Sequence, residues 1–175
     1  MKENIETLAV DISKTGIIVL YAASFAIPFL IGTPQLLVGT VVNAILILSA
    51  IKMKRSRLLY PLLFIPSIAT IARGLVFGPF TPLLFYMLPF IWASNGLLVF
   101  VLQATYVNKS MNYFLSLFLA SLVKTIPLFL TASIYVSLKI LPTIFLTGMG
   151  LVQFITASLG GIAVIVLLKL KPVSR

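Results

Sequence analysis

The sequence predicts an all-α polytopic membrane protein, a compact bundle of six transmembrane helices with both termini cytoplasmic. Three observations lead there. Mean hydropathy is +1.18, with 61 % of residues hydrophobic and 9 % charged, far outside the range of soluble domains. Apolar stretches near the roughly 20 residues needed to cross a hydrocarbon core of about 30 Å fill almost the whole chain, so residues 1–175 read as a single membrane domain. Basic residues fall on every second break between those stretches.

The first stretch, 16–31, follows MKENIETLAVDISKTG and ends without a small-residue cleavage pattern, so it reads as a retained span. It stops at Pro28 and the Gly32-Thr33-Pro34 turn. The second, 35–51, runs into the basic KMKRSR, and the third, 58–77, ends at Gly78-Pro79. The fourth, 80–104, opens on FTPLLFYMLPF, and prolines at 79, 82 and 89 predict a kinked or irregular start. The fifth, 112–138, lies between TYVNKSMN and KILP, and the sixth is 143–168. No repeat divides these spans into matching halves, which argues against an inverted-repeat transporter.

With the N-terminus inside, the inner breaks and tails carry Lys2, Lys14, Lys52, Lys54, Arg55, Arg57, Lys109, Lys169, Lys171 and Arg175, and the outer side only Lys139. The positive-inside rule therefore places both termini in the cytoplasm. It also removes the nucleic-acid reading that a net charge of +10 invites.

Two cations remain inside spans, Arg73 and Lys124, while the only acidic residues are Glu3, Glu6 and Asp11. Arg73 is roughly 6 Å from the outer end of its span, so it either snorkels to the headgroups or turns inward toward an anion. Lys124 lies about 18 Å from either edge, where a cation costs on the order of 2.5–3.5 kcal/mol without a partner. Its candidate partners are carbonyls freed by Pro127, loss of its own proton, or an anion from outside.

Ser116, Ala120, Lys124, Pro127, Thr131 and Tyr135 share one helical face, a small and polar stripe. Similar stripes are Gln35, Gly39 and Asn43; Ser67, Thr70 and Arg73; and Gly150, Gln153, Ala157 and Gly161. In lipid such faces turn inward, where small residues serve helix packing and amides serve packing or a ligand. Gln35, Asn43, Asn95 and Gln153 are the amide candidates for ligand contact. Trp92 is too deep for an interfacial belt and is the candidate aromatic wall.

Chemistry is bounded by what is missing. Cysteine and histidine are absent, and no carboxylate lies in the spans, so catalysis, a metal site and a proton relay are not expected. Nor is there a phosphate-cradling glycine loop, and no cofactor is implied.

Size, six spans, cytoplasmic termini and a polar interior are similar to the substrate-binding S components of energy-coupling factor transporters. YAASFAIP carries Ala22 and Ala26 at the AxxxA spacing found in that family's first helix, and TPQLLVGTVVNA with MLPFIWASNGLLV resembles members of unknown substrate. The resemblance implies a prokaryotic cell-membrane protein that captures a vitamin or other micronutrient near the outer face. It implies docking through Ala22 and Ala26 on a coupling transmembrane subunit, two cytoplasmic ATPases, and toppling of this subunit during transport. The short GTPQ connection departs from the family in leaving little chain for a lid.

The expected function is thus substrate capture for ATP-driven uptake. Arg73 and Lys124 favour a carboxylate- or phosphate-bearing ligand, Asn43, Asn95 and Gln153 would hold its polar edges, and Trp92 would stack on a ring. The alternative is a structural or assembly protein of a larger membrane complex that binds no solute. A self-contained carrier or channel lacks the buried acids it would need.

Overall fold

A computed structural model describes residues 13–31, 33–53, 56–74 and 78–170. Secondary structure among these residues is helical throughout, with no strand. The basic positions Lys2, Lys54, Arg55, Lys171 and Arg175 lie outside the described residues, as does the side chain of Lys169.

Helix α1 is Lys14–Leu30, started by Ser13, whose hydroxyl accepts from the Gly16 amide at 3.1 Å. Helix α2 is Gln35–Lys52, with Lys52 in its last turn, where the dipole favours a cation. A 3-10 turn, Arg57–Leu59, leads into α3, Tyr60–Arg73. The sequence predicts this span to continue to 77, but it stops at Gly74, which caps the helix at φ +80, a conformation open to glycine and strained for other residues.

The irregular start expected for the fourth span is a 3-10 segment, Gly78–Met87, followed by α4, Leu88–Leu102, and a π-helical end, Gln103–Asn108. The sequence reading places this span's end near 104 and a break beyond it, whereas the helix continues to 108 in π form. Gln103 donates to the Ala50 carbonyl of α2 at 3.2 Å there. Helix α5, Tyr113–Ser137, begins at Asn112, whose side chain accepts from the Phe114 and Leu115 amides. The sixth stretch is broken at Gly150 into α6, Ile144–Met149, and α7, Leu151–Leu170.

Four segments are long and apolar enough to cross a membrane: Gln35–Lys52, Pro79–Asn108, Tyr113–Ser137 and Ile144–Leu168. They make this a membrane protein by length and composition. Helices α1 and α3 are shorter, at 17 and 14 residues.

Helix α2 is central, lying mainly against α7 and also touching α4, α1 and α3, while α5 packs on α4 and α7. Small residues permit the α2–α7 approach: a methyl group at Gly160 would sit 2.8 Å from both the Ala44 amide nitrogen and the Thr40 carbonyl oxygen. The two backbones therefore touch at the level of Asn43.

Polarity is arranged as lipid solvation requires. On α5 the apolar Phe114, Phe118, Ile126, Leu130 and Ile134 face outward, while Ser116, Ala120 and Lys124 are buried. The sequence-predicted stripe turns inward as far as Lys124. Beyond Pro127 the buried line passes to Leu128 and Ala132, and Thr131 and Tyr135 are only half-buried.

Two apolar clusters fill the interior. One holds Leu46, Ile47, Leu98, Leu102, Leu117 and Val164; the other holds Leu84, Met87, Leu128, Ala132, Phe145 and Met149. Along α4, α5 and α7 the polar residues Asn95, Lys124 and Thr156 fall between the two. The candidate site lies in that layer.

Candidate functional site

Five helices contribute polar side chains to a cavity at this level. Gln35 and Asn43 come from α2, Ser67 and Thr70 from α3, Asn95 from α4, Lys124 from α5 and Gln153 from α7, and all line a cavity of about 100 Å³. Five sequence-predicted site residues, Gln35, Asn43, Asn95, Lys124 and Gln153, are therefore brought together. Apolar walls come from Val38, Leu84, Ile91 and Met149.

Lys124 is 2 % exposed, and its Nζ donates to Asn43 Oδ1 at 2.5 Å. That contact orients the Asn43 amide, because an amine hydrogen can be received only by the oxygen. The amide nitrogen then donates to Thr156 Oγ1 at 3.1 Å, and the Thr156 hydroxyl donates to the Gln153 carbonyl at 3.2 Å. A polar relay thus ties α5, α2 and α7 together. Lys124 meets neither a carbonyl released by Pro127 nor a carboxylate: residues 13–170 contain no Asp or Glu.

Thr156 is the participant that sequence reasoning misses. It is 1 % exposed and lies one residue off the Gly150, Gln153, Ala157 and Gly161 stripe. Its spacing of three from Gln153 is the one available signal.

Arg73 is placed elsewhere. Its Nη1 donates to the Phe29 and Leu30 carbonyls, at the C-terminus of α1, where the last turn leaves acceptors unpaired and the dipole favours a cation. The sequence offered it headgroups or an anion; the structure supplies a helix end. The contact fastens α1 to α3. Arg73→Gln is expected to cost about 1–2 kcal/mol of stability, with Arg73→Lys retaining part of it. Denaturation of the purified protein in detergent checks this, and an unchanged midpoint would refute the capping role.

Trp92 also stands off the cavity. Its Nε1 donates to Ser67 Oγ at 2.7 Å, and its ring meets Phe64 edge to face at 5.1 Å. It braces α4 against α3 behind a lining residue. Asn95 Nδ2 donates to the Leu63 carbonyl at 3.0 Å, again joining α4 to α3. On α1, Ala22 is exposed and Ala26 is half-buried, and neither lines the cavity.

The hydroxyls of Ser67 and Thr70 are committed to their own helix, donating to the Phe64 and Pro66 carbonyls at 2.8 Å each. The side chains of Gln35 and Gln153 hydrogen-bond to none of the described residues. Among the described residues no cluster of His, Cys, Asp or Glu is present to hold a metal ion. The arrangement has the chemistry of binding: one amine, free amides and an apolar wall. No family model, no curated protein and no solved structure matches the chain.

Proposed function

We propose that this protein is the substrate-capturing subunit of an ATP-driven micronutrient uptake transporter in a prokaryotic cell membrane, taking a small anionic ligand into the polar layer. The observation that carries the reading is Lys124: an amine 2 % exposed, bordering a cavity, with a single neutral acceptor among the described residues. An ammonium group has three donors, and a buried cation needs charge compensation. An incoming anion would supply both.

The proposed topology adds Lys14–Leu30 and the segment 57–73 to the four longer helices, making six spans. At about 1.5 Å per residue, 17 residues cover about 25 Å, the lower limit for a span. Cytoplasmic termini are supported by Lys14, Lys52, Arg57 and Lys109 on alternate connections, against Lys139 at the other end. The exposed Ala22 on α1 is consistent with docking on a coupling transmembrane subunit, and the absence of a nucleotide-binding loop with ATPases supplied by partners.

Affinity purification from native membranes in mild detergent, with mass spectrometry of what accompanies the protein, tests this reading. A coupling membrane subunit with a pair of ATPases is expected, and Lys124→Met is expected to abolish ligand retention in a folded protein. A second reading, an assembly protein of a larger membrane complex, is favoured by one observation: Arg73 already has partners within the chain. Recovery with an unrelated complex, or full ligand retention by Lys124→Met, would select it.

A further inference from the structure

The cavity's lining narrows the ligand further. Arg73 is not in the lining and is engaged by the α1 carbonyls, so Lys124 is the one cation bordering the cavity among the described residues. One positive charge, with no carboxylate among the described residues, balances one negative charge. A dianion such as a phosphate ester would enter undercompensated.

Size gives an independent limit. The volume of about 100 Å³ falls well below the roughly 300 Å³ at which pockets begin to enclose drug-sized ligands. Space on that scale suits a ligand of a few carbons, well short of drug size.

The walls agree with that limit. Among the described residues no aromatic side chain lines the cavity, and Trp92 is turned toward Phe64 and Ser67, so they offer a ring no stacking platform. Val38, Leu84, Ile91 and Met149 instead offer aliphatic surface suited to a short alkyl tail. The carboxamide of Gln153 supplies donors on the Lys124 side of the cavity, enough with the amine for the two oxygens of a carboxylate.

We infer that the polar layer binds a short-chain aliphatic monocarboxylate, its carboxylate on Lys124 with Gln153 and its alkyl tail against Ile91 and Met149. This inference rests on the capture function proposed above and replaces a ring-bearing micronutrient with a smaller substrate class.

The test is calorimetric titration of the full chain in detergent with acetate, propionate, butyrate, phosphate and nicotinate. Propionate or butyrate is expected to bind most tightly, with Lys124→Met weakening binding about ten- to hundredfold. Met149→Ala, or Ile91→Ala if the first variant is poorly folded, is expected to move the optimum to a longer chain such as valerate. A merely structural role for these side chains would not shift chain-length preference. Tightest binding of nicotinate or phosphate, or short-chain binding indifferent to Lys124, overturns the inference, as does no binding by any short-chain acid. Co-purification with the coupling subunit and ATPases judges the capture reading separately.

Discussion

Replacing Asn43 by leucine is expected to destabilise the protein by about 2.5–3.5 kcal/mol, the cost of a helix-centre cation without a partner. Asn43 is 1 % exposed and is the acceptor for Lys124 and the donor to Thr156, so leucine, with the same heavy-atom branching but larger methyl groups, removes the polarity. Lys124→Met takes away the group that needs compensation, and its own effect is expected to be small. The double variant should then recover most of the loss, because an apolar pair replaces a stranded amine. A double-mutant cycle on denaturant unfolding in detergent measures this coupling. Additive losses would mean that the relay does not act as a unit.

The second large effect is expected at the α2–α7 contact. Gly160→Val forces a branched side chain where even a methyl group meets the Ala44 nitrogen and Thr40 oxygen at 2.8 Å and Asn43 Cβ at 3.0 Å. Those neighbours include backbone that cannot rotate away, so a loss of about 1–3 kcal/mol is expected, the range for overpacking. Binding should weaken too, because separating the helices shifts Asn43 relative to Lys124. Gly96 supplies the control: its nearest neighbour to an added methyl is Leu63 Cδ1 at 3.9 Å. Gly96→Ala is therefore expected to be neutral or to stabilise α4 by up to about 1 kcal/mol through helix propensity. Equal effects at the two glycines would remove the close-contact explanation.

Much of the helical layout was legible before any coordinates. The segments 35–51 and 112–138 are the helices Gln35–Lys52 and Tyr113–Ser137, because lipid solvation demands continuous apolar runs and turn residues punctuate them. The prolines before Trp92 announced an irregular start, found as the Gly78–Met87 3-10 segment. The break at Gly150 was not announced: a single glycine is compatible with a helix interior, and its role depends on Phe129 and the Leu146 carbonyl pressing close to it.

The cavity was partly legible. Amides and a lysine at helical spacing pointed inward, and five of the seven ligand candidates do line it. Trp92 and Arg73 stand apart for a reason that spacing cannot express. Depth along a helix follows from residue number, but the direction and reach of a side chain depend on which neighbour lies opposite. For Trp92 that neighbour is Ser67, and for Arg73 it is the end of α1.

The sequence by itself determined the membrane class, the approximate positions of the helices and the absence of any Asp or Glu in residues 13–170. Each of these follows from composition and local order, which the bilayer reads directly. Only the tertiary structure decided that Lys124 meets Asn43 across 81 residues and that Arg73 caps α1. Those partners depend on how each helix is rotated about its axis. That rotation follows from close contacts such as Gly160 on the α2 backbone, made between segments far apart in the chain.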